Sequence, residues 1–93
     1  MTEPERIRRI IQMERYFDLL SQSDPRSVPE DPELPKMQAA LTGYCESGQW
    51  LADYEADERG ELPDDLKRGV LSQDGLYDLL HQIAVQFKRR KNP

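Results

Sequence analysis

Three observations predict an all-α fold, a small bundle of three to four helices with a proline-rich connector between the first and second. Apolar residues recur at the helical period in four stretches, four of the seven prolines fall within residues 23–35, and no period-two alternation runs long enough for a strand. With 93 residues, 37% of them apolar and 33% charged, the chain is expected to form a single helical domain over residues 1–93. A chain this short buries only about 60–70% of the surface its unfolded form exposes, so about a dozen large apolar side chains must carry the core. Deep substrate cavities are not expected.

The first helix is expected to open at Thr2, with Glu5 three residues on at capping-box spacing, and to run to about Gln22. Ile7, Ile10, Ile11, Phe17 and Leu20 form its apolar stripe, widened by Met13 and Tyr16. Residues 23–35 then hold four prolines and the acids Glu30, Asp31 and Glu33. Proline removes amide donors and pushes the preceding residue toward extended backbone, which predicts a stiff connector. The second helix is expected near Pro35, with Met37, Ala40, Leu41 and Tyr44 on one face. A short third helix carries Trp50, Leu51 and Tyr54 and stops at Gly60, a residue suited to the left-handed conformation of a helix end. Ser72 is expected to cap the last helix, with Leu71 packing on Leu76 as a hydrophobic staple. That helix lines up Leu76, Leu79, Leu80, Ile83, Ala84 and Phe87 and ends in a basic tail, residues 88–93, whose cations favour the negative end of the helix dipole.

Net charge is -5, from 13 Lys plus Arg against 18 Asp plus Glu, which argues against a general binder of phosphate backbones. One cysteine, Cys45, allows no intramolecular disulfide, no apolar run approaches the ~20 residues needed to cross a bilayer, and the charged start lacks the apolar stretch of a signal peptide. A cytoplasmic location and no membrane association are expected. His81 is the one histidine and has no partner ligand at metal spacing, and the five serines have no base nearby in sequence, so neither a cofactor, a metal site nor catalysis is expected.

Residues 50–80 read WLADYEADERGELPDDLKRGVLSQDGLYDLL. The tryptophan, the acidic DYEADE run, the GxLP turn and LKRGVLS before DxLYDLL resemble the signature of a family of short bacterial proteins known as domain of unknown function 4298. The helices around Ile7 to Leu20 and Met37 to Tyr44 are also similar to that family. The resemblance implies a bacterial origin, an all-helical fold and a cytosolic address, but no chemistry. It singles out residues 50–72 as the distinctive part.

Within residues 53–65 stand seven carboxylates, Asp53, Glu55, Asp57, Glu58, Glu61, Asp64 and Asp65, against Arg59 alone. Asp53, Glu55 and Asp57 imitate positions 1, 3 and 5 of a calcium loop, but Glu58 stands where such a loop needs glycine and Pro63 falls at position 11. Asp57 and Glu58 would lie near the carboxyl end of the third helix, where the dipole disfavours anions. Lys67 and Arg68 are therefore expected to fold back on these acids and pin the loop over the core, with Trp50 and Tyr54 beneath as core anchors. Asp53, Glu55, Asp57, Glu58 and Glu61 are the expected surface for an unknown protein partner, which makes a non-catalytic interaction or regulatory module the favoured function. The alternative is a nucleic-acid accessory protein using the basic ends, Arg6, Arg8 and Arg9 in the first helix and Lys88, Arg89, Arg90 and Lys91 in the last. Only if the outer helices bring those clusters together would they make one patch.

Overall fold

Four α-helices follow from these patterns in a computed structural model that describes residues 4–91: α1 (Pro4–Gln22), α2 (Leu34–Glu46), α3 (Gln49–Glu58) and α4 (Gln73–Lys91). Two short 3-10 helices, Pro25–Glu30 and Gly69–Leu71, complete the architecture, and no strand occurs among the described residues. The expected capping box at Thr2 lies outside the described residues.

The connector is more ordered than its prolines predict. Asp24 caps its 3-10 helix by accepting the Arg26 amide at 3.0 Å, while its own carbonyl accepts the Ser27 amide at 2.9 Å. A 3-10 turn needs only bonds from one residue to the third beyond it, and two prolines with fixed φ fit such a turn. Its consequence is that Val28 enters the core with no exposed surface. Asp31 then receives the Glu33 amide at 2.8 Å and starts α2.

Glycines stop the middle helices. Gly48 takes φ +85° between α2 and α3, and Gly60 takes φ +74° just beyond α3. At the latter, the Gly60 amide donates to Asp57 and the Glu61 amide to Ala56, each at 3.0 Å, which is a Schellman closure. Ser72 accepts the Gly75 amide on its hydroxyl at 3.3 Å, while Leu71 and Leu76 are both buried at the start of α4.

The two long helices, α1 and α4, do not form one layer. Among the described residues, α1 packs along α2, whereas α4 packs chiefly on the connector's 3-10 helix and on the Gly69–Leu71 turn and meets α1 only slightly. The molecule is accordingly elongated, 51 by 18 by 18 Å. Near the end of α2, Tyr44 reaches Asp53 and with it the arginines of early α1. Near its start, Gln38 lines a cleft with Ala84, Phe87 and Lys88 of α4. Among the described side chains, Arg6 and Arg9 therefore stand near the end of α2 and Lys88 near its start, and these form no joint patch.

Core residues come from every element, including Ile10 and Leu20 of α1, Leu41 and Tyr44 of α2, Trp50 and Ala56 of α3, and Leu76 and Ile83 of α4. One assignment is corrected. Ile11, expected in the apolar stripe of α1, is 51% exposed, because the inward face of α1 instead carries Arg6, Arg9 and the buried Glu14.

Candidate functional site

The acidic stretch divides into one buried carboxylate and an outer face. Asp53 sits on the inward side of α3 with no exposed surface and takes four hydrogen bonds. Arg6 Nε donates to its Oδ1 at 3.1 Å, Arg9 donates to both oxygens, and the Tyr44 hydroxyl donates to Oδ2 at 2.6 Å. This corrects its assignment to a partner surface. A charge taken out of water is tolerated only when paired and hydrogen-bonded, and the two guanidiniums and the phenol meet that condition. With both oxygens held by two donors each, Asp53 keeps no lone pair aimed at a substrate; it ties α1, α2 and α3 together. Burial, and then the bond to Asp53, push the Tyr44 hydroxyl far above its ordinary pKa, so it stays a proton donor.

A second knot lies under the loop that follows α3. Trp50 is buried and its indole N–H donates to the Val70 carbonyl at 2.9 Å, while the Val70 amide donates to Glu14 Oε1 at 2.8 Å. Side chains of α1 and α3 thus hold both polar groups of one peptide residue. Gly69 is next to it because space runs out there: a Cβ would stand 3.0 Å from a Glu14 carboxylate oxygen and 3.3 Å from the Phe17 ring.

Of the two cations expected to pin the loop, Arg68 meets an acid. Its Nε donates to Asp57 at 2.6 Å, and its two terminal nitrogens donate to the carbonyls of Leu66 at 2.9 Å and Pro63 at 2.6 Å. One guanidinium thereby fastens the loop to the end of α3. Lys67 is exposed and lines a groove beside α1 instead.

Asp57 is half-buried and spent on Arg68, and Glu61 pairs with Arg59. Glu55 and Glu58 are exposed on the outward side of α3. Tyr54, expected as a core anchor, is half-buried, and its ring stacks on Trp50 with centroids 5.1 Å apart. The neighbouring Glu58 carboxylate raises the Tyr54 pKa. Tyr77 of α4 tilts against Trp50 at 6.1 Å and is 47% exposed, and Leu51 is 52% exposed. Leu51, Tyr54, Glu55 and Glu58, at spacings of three and four, therefore share one outward face of α3.

Arg6, Arg9, Tyr44 and Glu14 were not singled out by sequence reasoning as members of these knots. The available signal was the spacing of Arg6 and Arg9, which places two cations on the same side of α1 as Ile10 and Met13. Burial raises the Cys45 thiol pKa, with Glu46 adding to it, so the thiol is held in its unreactive form. Among the described residues no group of three or more His, Cys, Asp or Glu side chains is placed to hold a metal ion, and no helix is long and apolar enough to cross a membrane.

The fold and its knots define a small all-α protein whose middle helices are tied by a buried arginine–aspartate–tyrosine cluster. A family model described as Domain of unknown function (DUF4298) matches residues 10–89, most of the chain and including the proline-rich connector, and the chain belongs to that family. No curated protein and no solved structure matches it.

Proposed function

We propose that this chain is a non-catalytic interaction module that uses the outward face of α3 to bind a basic segment of a protein partner. The carrying observation is the pairing of chemistry on that face: Tyr54 and Tyr77 lean on the buried Trp50, Leu51 is exposed beside it in sequence, and Glu55 and Glu58 add exposed negative charge. Aromatic and aliphatic contacts ringed by charge are the usual composition of a binding patch. The carboxylates that lie deeper, Asp53 and Asp57, are spent on arginines, which gives the face stiffness rather than reactivity.

The cytoplasm is the compartment that suits a chain with one thiol and no disulfide. The nucleic-acid alternative draws less support, because Arg6 and Arg9 are engaged by Asp53, which leaves Arg8 of that cluster exposed, and Lys88 of the second cluster lies toward the other end of α2.

Affinity capture from lysate of the source cell, with wild type and a Leu51→Glu/Glu58→Lys variant compared by mass spectrometry, tests the proposal. Both substituted positions are exposed, so folding is expected to survive within about 0.5 kcal/mol. Proteins with basic segments held by wild type and lost by the variant are the expected result. An identical set on both baits overturns the assignment of this face.

A further inference from the structure

A second surface lies on the far side of α1, apart from the α3 face. Between α1 and residues 63–67 runs a groove of about 530 Å3 whose apolar wall includes Ile7, Ile11, Leu19 and Leu66. Ile11 and Leu19 are 51% and 41% exposed there, an uneconomical placement for aliphatic side chains unless something covers them.

The order of side chains along this face says what covers it. Ile7, Arg8, Ile11, Arg15, Asp18 and Leu19 fall on one side of α1, where apolar Ile7 and Leu19, and oppositely charged Arg8 and Asp18, are spaced evenly about Met13. Ile7 and Leu19 stand six residues to either side, Arg8 and Asp18 five, Ile11 and Arg15 two. We infer that a second copy of this chain docks here, its α1 antiparallel to the first across a two-fold axis level with Met13.

In that register Ile7 packs on Leu19 of the other copy, and Arg8 faces the other copy's Asp18, each contact occurring twice as an isologous interface requires. Glu14 lies one turn before Asp18, close enough for the two carboxyl groups to act on each other, so negative charge gathers where Arg8 arrives. The stem of Arg15 lies over Ile11 with its charged head in water. Antiparallel helices also oppose their dipoles. A second copy brings an acid to Arg8 and an aliphatic side chain to Ile7 at the same spacing, so this face is complementary to itself at both ends. The patch is small, at the low end of specific interfaces, so association is expected to depend on concentration.

Sedimentation velocity on the full chain, from micromolar to millimolar and at low salt, reads the result directly. Wild type is expected to move from 10.9 kDa toward twice that mass as concentration rises. Arg8→Asp and Asp18→Arg should each weaken the dimer by about tenfold, since two ion pairs are lost per dimer. The double variant Arg8→Asp/Asp18→Arg should regain wild-type association, and circular dichroism melting of every variant separates lost docking from lost folding. A wild-type chain that stays at 10.9 kDa throughout overturns the dimer. A double variant no stronger than the singles overturns this pairing.

Discussion

The Tyr44 hydroxyl donates to Asp53 at 2.6 Å, and Asp53 has no solvent-exposed surface, so the end of α2 is fastened to the middle of α3 through a charge that water never reaches. Hydrogen bonds to charged groups contribute more than neutral ones, about 1.5–3 kcal/mol. Tyr44→Phe is therefore expected to cost about 2 kcal/mol in urea unfolding. Asp53→Ala should cost more, about 3 kcal/mol. That is the low end for a broken buried pair, because Arg6 and Arg9 retain 18% and 23% exposure and can turn toward water. Losses that merely add in the double variant would show that the two residues do not act as a unit.

Glu14 supplies a pH dependence of defined sign. Desolvation raises its carboxyl pKa above the ordinary glutamate value, the nearby Asp18 adds to this, and the Val70 amide and Lys67 oppose it. The folded chain then holds a proton over a window in which the unfolded chain has released it. Stability contributed by this residue is present below the ordinary value and falls as pH rises through the raised one. Glu14→Gln removes that titration and keeps an oxygen for the Val70 amide, so the variant should be the more stable protein at neutral pH. Its advantage should vanish in acid; thermal melts of both proteins across pH check this, and a constant difference contradicts it.

Arg68 and Lys67 are adjacent but are expected to behave differently. Arg68→Ala removes donors from Asp57 and from the Pro63 and Leu66 carbonyls. Amides of residues 62–70 should exchange with deuterium faster, with a loss of about 1–2 kcal/mol. Lys67→Ala is expected to leave both exchange and stability within about 0.5 kcal/mol of wild type. Equal responses from the two variants would mean that Arg68 does not fasten the loop.

At Gly69 the constraint is steric. A methyl group would crowd the Glu14 carboxylate and the Phe17 ring, so Gly69→Ala should destabilise by about 1–3 kcal/mol despite its entropic gain in the unfolded chain. The control is Gly43→Ala on α2, where a Cβ meets nothing within 4 Å and the helix favours alanine. Denaturant midpoints moving in opposite directions are expected; a Gly69→Ala protein as stable as wild type contradicts the packing described.

Helical periodicity made α1 to α4 legible, as did Gly60 at the end of α3 and Ser72 before α4. The connector was not legible, because proline statistics speak against helix while Asp24 and Asp31 supply local hydrogen bonds that a 3-10 turn can use. Asp53 was misread for a similar reason. In sequence it is one of seven acids, and only the meeting of α1 with α3 reveals that Arg6 and Arg9 neutralise it. Ile11 was placed in the core because period alone cannot tell which side of α1 faces inward when arginines occupy the buried side. Arg68 was legible as a residue that returns to the acids, since the dipole at the end of α3 demands a cation there.

Residue-resolved NMR of the labelled chain, titrated with a partner retained by wild type, tests the central claim most directly. Amide shifts concentrated at Leu51, Tyr54, Glu55, Glu58 and Tyr77 are the result this account requires. Shifts confined to the groove beside Ile11 and Leu19, or to Lys88 and Arg89 at the end of α4, would contradict it.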